Sequence, residues 1–137
     1  MQEVKTDGGV ARVSITLGTA KHVYDKTGVN LLNPSAKDDN GVYLTTRLLY
    51  DDLFFGGVIA ALLDGQDVKT DDFDGTDMQK FDEAFWREYR AFFRARGKDW
   101  AAEAIAQDLA TRTKNEREAA QALVAGETLQ SSQDEQA

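Results

Sequence analysis

The chain of 137 residues contains no cysteine, a single proline and a single histidine. Without cysteine it can form no disulfide, no thiolate nucleophile and no cysteine-ligated zinc or iron–sulfur centre. His22 alone provides no histidine pair for a metal ion and at most one imidazole for acid–base chemistry. These absences exclude several classes of enzyme, and we expect neither a metal nor an organic cofactor.

Long apolar runs are missing as well. The N-terminus lacks the apolar segment of a signal peptide, and the longest apolar stretch, around residues 53–63, is shorter than the roughly 20 residues that cross a bilayer. The 24 acidic residues outnumber the 16 basic ones, so the net charge is −8. That charge disfavours nucleic acids and anionic membranes as partners. We therefore expect a cytoplasmic protein with protein partners.

The sequence does contain 42% hydrophobic residues, in patterns that are typical mainly of helices. Apolar and polar residues alternate over residues 13–17, and the turn signal Asp7-Gly8-Gly9 before them predicts a hairpin with residues 2–6. We predict a mainly α fold of three to four helices with a small N-terminal β-hairpin. The predicted single domain covers residues 1–125, and a disordered acidic tail covers residues 126–137. The helices are predicted at about 19–27, 42–63, 81–96 and 99–124.

Four local signals refine these helices. Gly28 stands where a left-handed residue ends the first helix. Gly56-Gly57 weakens the second helix, and either close packing against another element or a kink would explain the pair. Thr76-Asp77 is the predicted N-cap of the third helix. Trp100 shares the apolar side of the fourth helix with Ile105.

The charge is strongly segregated along the chain. Residues 64–83, the acidic segment, hold eight acids and two lysines, whereas residues 84–100 hold five bases and two acids. Residues 115–137 are acidic again, with five acids and one arginine. The total of −8 therefore describes no single surface, and the sequence predicts a basic helix between two acidic regions.

The acidic segment resembles part of a calcium-binding EF-hand loop. Asp72-x-Asp74-Gly75 matches the centre of that motif, but Thr70 and Phe81 then occupy the first and twelfth ligand positions, which require carboxylates. The match fails, and we predict a solvated acidic loop without a metal. Its central carboxylates are Asp71, Asp72 and Asp74.

Seven of the 13 aromatic residues lie within residues 81–100, and most recur at the spacing of one helical face. Such a face usually packs in a core, but this helix has more aromatic residues than a small core needs. Arginines follow another face at i, i+3 and i+7. Mixed arginine and aromatic residues are typical of interface hot spots. The predicted client or self-interface residues are Trp86, Arg87, Tyr89, Arg90, Phe93 and Arg94.

Several segments, taken in order, resemble the tail assembly chaperones of long-tailed bacteriophages and of related prophage or gene-transfer-agent elements. Residues 13–21 (VSITLGTAK) lead into residues 24–32 (YDKTGVNLL), which is similar to the opening of that family. A hydrophobic helix over residues 48–63, an acidic loop at residues 71–74 and a variable polar tail complete the resemblance. The longer loop at residues 33–41 and the arginine-rich third helix depart from the family pattern.

The resemblance implies a small, mostly helical, non-enzymatic protein that binds the tape measure protein and recruits tail tube subunits in the host cytoplasm. Many members of the family also have a longer, frameshifted form. Two other functions stay open. The chain could act as an acidic inhibitor or nucleic-acid mimic that presents residues 64–83 to a basic partner, or as a structural head–tail connector. A homo-oligomer is also left open, and an enzyme is the least favoured class.

Overall fold

A computed structural model describes the backbone of residues 1–136 and the side chains of residues 1–126. The described chain has a two-stranded antiparallel hairpin and five α-helices, which confirms the predicted mainly α class with one helix more than expected. None of the described helices is long and apolar enough to cross a membrane. The elements are β1 (Gln2–Thr6), β2 (Gly9–Val13), α1 (Leu17–Thr27), α2 (Leu44–Tyr50), α3 (Asp52–Leu62), a 3₁₀ turn (Thr70–Asp72), α4 (Gly75–Ala95) and α5 (Asp99–Gln136).

The N-terminal hairpin forms where the turn signal predicts it, but its second strand lies earlier than expected. Gln2 pairs with Val13 and Thr6 with Gly9. The predicted strand over residues 13–17 is wrong beyond Val13, because Thr16 caps α1 by accepting a hydrogen bond from the backbone N–H of Thr19. The alternating apolar pattern therefore spans a strand end and a helix start.

Helix α1 confirms the predicted helix at 19–27 and begins two residues earlier. Gly28 follows it in the left-handed conformation with φ of 75°, and its N–H donates to the carbonyl of Tyr24. Only glycine adopts this backbone geometry without steric cost, which explains why the helix ends here. Helix α1 packs against α3.

The predicted second helix at 42–63 is two helices, α2 and α3, separated by Asp51. Asp51 has an extended backbone, and its carboxylate accepts a hydrogen bond from the N–H of Phe54 at 3.0 Å, so it is the N-cap of α3. The glycine pair does not cause the break. A Cβ at Gly56 or Gly57 would meet no neighbour within 4 Å, so the expectation of close packing at these glycines is wrong.

Helix α4 begins at Gly75, and its N-cap is Asp74 rather than the predicted Thr76-Asp77. The Asp74 carboxylate accepts a hydrogen bond from the N–H of Asp77 at 2.8 Å, and the Asp77 carboxylate accepts one from the N–H of Asp74 at 3.3 Å. One face of α4 is aromatic and buried, as the spacing predicts. Its fully buried rings are Phe81, Phe85, Tyr89 and Phe93.

A single hydrophobic cluster contains residues of both strands and all five helices, and the aromatic face of α4 lies within it. Adjacent rings along this face contact one another, with centroids about 5 Å apart between Phe85 and Tyr89 and between Tyr89 and Phe93. The hydroxyl of Tyr89 donates a hydrogen bond to the carbonyl of Leu31, in the loop after α1. This bond ties that loop to the centre of the molecule.

Helix α5 begins at Asp99, as predicted, and follows α4 through Gly97. Its first turns are buried through Ala101, Ala102 and Ile105, whereas every residue from 113 to 126 is exposed. The backbone is helical to Gln136. Side chains 127–137 lie outside the described residues, so the disordered acidic tail at 126–137 stays a prediction.

Replacing Tyr89 with phenylalanine tests the buried hydrogen bond. Leu31 and Tyr89 are both 0% exposed, so Tyr89→Phe leaves a carbonyl without its partner. We expect a loss of about 1–3 kcal/mol in the free energy of unfolding at neutral pH, measured by chemical denaturation. The control Tyr24→Phe, at an exposed tyrosine, should change it by less than about 0.5 kcal/mol.

The same pair of proteins gives a pH test. Burial raises the pKa of Tyr89 above its ordinary value of 10.0. The unfolded chain therefore loses this proton at lower pH than the folded chain, and the wild type loses stability as the pH rises above about 10. Tyr89→Phe lacks this contribution, so the difference in the free energy of unfolding between the wild type and the variant should become smaller above that pH. A difference in the free energy of unfolding that does not change with pH would contradict the raised pKa of Tyr89.

Candidate functional site

Helices α4 and α5 form a helical hairpin with an open groove of about 280 Å³ along its surface. We call it the arginine groove. Four arginines, two acids and two apolar side chains line it, so its net charge is positive within an acidic protein. The lining residues are Asp82, Glu83, Trp86, Arg87, Arg90, Arg94, Leu109 and Arg112.

Asp82 holds one side of the groove in place. Its two carboxylate oxygens accept from the two terminal nitrogens of Arg112, at 3.0 and 2.7 Å, which is a bidentate pair across the helical hairpin. The indole N–H of Trp86 donates to the same carboxylate at 3.1 Å. The hydrogen bonds that Arg112 donates to Asp82 raise the pKa of its guanidinium. No local sequence pattern indicates this pair, since 30 residues separate its members.

Not every guanidinium nitrogen of the groove has a hydrogen-bond partner. The Nε atoms of Arg90 and Arg112 are buried and have no hydrogen-bond partner, and no other buried side-chain nitrogen or oxygen within the described residues lacks one. Arg87 donates only to the neutral amide oxygen of Gln2, at 3.2 Å. Arg94 is exposed. The exposed guanidinium groups of Arg87 and Arg94, rather than these buried atoms, are the ones that a carboxylate from outside can reach.

The structure divides the six predicted interface residues into two groups. Trp86, Tyr89 and Phe93 are 3%, 0% and 2% exposed. They pack inside the chain's own core, so the expectation that they form an interaction surface is wrong for this fold. The arginines lie on the opposite side and line the groove. The accessible part of the predicted site is therefore Arg87, Arg90 and Arg94.

The acidic segment is exposed at Asp71, Asp72 and Asp74. Phe73 fixes its position by stacking on Phe81, with ring centroids 4.6 Å apart. Asp74 is engaged as the α4 cap. Within the residues that the structure describes, no group of three acids or histidines has a geometry that could hold a metal ion.

A second groove, of about 310 Å³, lies between the loop before α2 and the start of α5. We call it the aromatic groove. Tyr43 and Trp100 stand at its sides and are 45% and 65% exposed, with Ala101 and Ile105 at its base. The sequence placed Trp100 on the apolar side of the last helix, and the structure shows its indole in solvent instead.

The single histidine forms a surface contact. His22 is half-buried and lies 2.8 Å from a carboxylate oxygen of Asp64, which joins α1 to the loop after α3. The hydrogen bond from His22, followed by the charge of Lys26, holds the pKa of Asp64 below its usual value. Among the described residues, the hydrogen bond to Asp64 is the one side-chain hydrogen bond found for this imidazole.

Comparison of the chain with protein-family models, with curated proteins and with solved structures gives no match in any of the three.

Replacing Arg112 with methionine tests the pair that shapes the arginine groove. Arg112→Met keeps most of the side-chain volume but leaves the Asp82 carboxylate, 25% exposed, without its cation. We expect the free energy of unfolding to fall by about 1–3 kcal/mol, measured by urea denaturation. Arg94→Met removes an exposed charge from the same groove and should change it by less than about 0.5 kcal/mol. Equal stability of both variants would show that the pair is not structural.

Proposed function

We propose that this protein is a non-enzymatic tail assembly chaperone of a long-tailed phage or prophage, which binds the tape measure protein and tail tube subunits. The observation that carries the proposal is the aromatic groove. Trp100 exposes 65% of its surface beside a concave, largely apolar site. Tryptophan and tyrosine are the residues most enriched at protein–protein hot spots, and a groove of this kind accepts apolar side chains of a partner.

The shape of α5 supports the same function. The part of α5 whose side chains are described, residues 99–126, is about 42 Å long at 1.5 Å per residue. The aromatic groove lies at the base of this helix, and the exposed stretch 113–126 continues from it. Leu123 in that stretch is 70% exposed. A groove at the base and an exposed helical arm together offer an elongated surface, which suits a long helical client such as a tape measure protein.

The titratable groups with shifted pKa values have structural explanations, which supports a binding role. Tyr89 is shifted by burial, Arg112 by its pair with Asp82, and Asp64 by the hydrogen bond from His22. None of these three lines the aromatic groove. Perturbed pKa values at a catalytic site usually come from groups gathered in one cleft.

The structure weakens the support for the nucleic-acid mimic. A mimic would present the carboxylates of residues 64–83 to a basic partner. Four of these eight acids already have hydrogen-bond partners in the chain, since Asp64 contacts His22, Asp74 and Asp77 form the cap of α4, and Asp82 binds Arg112. The head–tail connector differs from the chaperone in where the protein ends up, because a connector stays in the finished particle.

The proposed function is tested by binding to the tape measure protein of the same genome. The wild-type chain should keep a co-expressed tape measure protein soluble. Trp100→Ala should weaken their association about tenfold or more, measured by titration calorimetry. Tyr43→Ala should act in the same direction. The matched control is Tyr24→Ala, which removes a tyrosine that is 55% exposed on α1, away from the groove, and should bind like the wild type.

Two results would contradict the proposal. The first is a wild-type chain that binds neither the tape measure protein nor the tail tube protein. The second is the presence of the chain in purified particles at a fixed copy number, which would favour the connector.

A further inference from the structure

We propose that the arginine groove binds the acidic turn of a second copy of this chain, by which we mean Asp71 and Asp72 of the acidic segment. The pair of surfaces would join two copies through charge, at Arg90 and Arg94 on one copy and Asp71 and Asp72 on the other. This self-association is separate from the proposed chaperone role, because it concerns a different surface and is measured on the purified chain alone.

The first observation is the exposed positive charge of the groove. Arg87 and Arg94 line the groove and are exposed, and Arg90 lies between them at an intermediate exposure. A carboxylate is the best partner for a guanidinium, because it accepts charge-assisted hydrogen bonds. Glu83 and Asp82 also line the groove, but Asp82 is already engaged by Arg112.

The second observation is that the acidic turn, unlike Asp82 and Glu83, lies too far from the groove to reach it within one molecule. Asp74 precedes α4, and Arg90 lies 16 residues further along the same segment, which is about 24 Å at the rise of an α-helix. Charges on the protein surface are largely screened beyond about 8–10 Å at physiological salt. The acidic and basic ends of α4 therefore do not neutralise each other.

The helix dipole accounts for only part of this charge distribution. Acids near the start of a helix and bases near its end stabilise that helix, which explains Asp77 and Arg94. Asp71 and Asp72 lie before the helix, in the 3₁₀ turn, and both are exposed. The stacking of Phe73 on Phe81 holds this turn against the core. Contact with a basic surface gives these two carboxylates a role.

A second copy carries one basic groove for each acidic turn. Two copies related by a twofold axis would therefore form two identical contacts at once. The contact is mainly electrostatic, and it should weaken as the salt concentration rises.

The test is a charge swap, read by sedimentation velocity on the full chain. In about 50 mM salt the wild type should have an average mass above that of the monomer, and about 500 mM salt should raise the dissociation constant tenfold or more. One variant carries Arg90→Glu and Arg94→Glu, and the other carries Asp71→Lys and Asp72→Lys. Each alone should be monomeric, because like charges then face each other.

The mixture of the two variants is the decisive sample. In a mixed dimer, the reversed groove of one variant meets the reversed acidic turn of the other, and the two unchanged surfaces meet at the second contact. The dissociation constant of the mixture should therefore be within about threefold of that of the wild type. Lys114→Glu with Arg117→Glu is the control, since it makes the same charge change at exposed positions outside the groove. Circular dichroism spectra and melting temperatures like those of the wild type establish that each variant is folded.

Three outcomes overturn the proposal. They are a wild type that stays monomeric at about 100 μM in low salt, folded variants whose mixture stays monomeric, and an association that survives both charge reversals. Restored association in the mixture, together with an unaffected control, supports it.

Discussion

The burial of one aromatic face of α4 is the constraint on which the rest of the structure depends. Four rings spaced along that face lie within the hydrophobic cluster, and the hairpin and α5 pack against the same helix. Helix α3 contacts it through the rings of Phe55 and Phe85. Because that face is buried, the opposite face must meet solvent, and arginines occupy it. The groove, its positive charge and the position of α5 all follow from this division of α4 into two faces.

Much of the fold could be predicted, because its strongest signals are local. The turn at Asp7-Gly8-Gly9, the glycine after α1 and the aromatic spacing of α4 each fix an element within a few residues. The break at Asp51 could not be read in advance, since apolar residues continue through it and only the side-chain cap reveals the new start. Similarly, alternation at 13–17 looks the same whether a strand continues or Thr16 starts a helix.

The site was harder to predict than the fold. The spacing of the aromatic residues predicted a face of α4 but not which of its residues are accessible, because a ring at an interface and a ring in a core have the same spacing. Trp86 shows the difficulty, since its indole is held in the core by Asp82. Trp100 shows the reverse, because its position on an apolar stripe does not reveal that the neighbouring loop leaves its indole uncovered. The pair of Asp82 and Arg112 depends on how two helices are aligned, and no local pattern encodes that alignment.

The exposure of every residue from 113 to 126 determines which substitutions and changes of length this helix tolerates. Core packing constrains substitutions in the folded body, where a lost methyl group costs stability. The outer part of α5 is not packed in the core, although Asn115 donates a hydrogen bond to the hydroxyl of Tyr50. Changes in the length of α5 beyond this contact should therefore have little effect on the core. The reach of the arm and the stability of the domain are thus separate quantities, and selection can adjust one without disturbing the other.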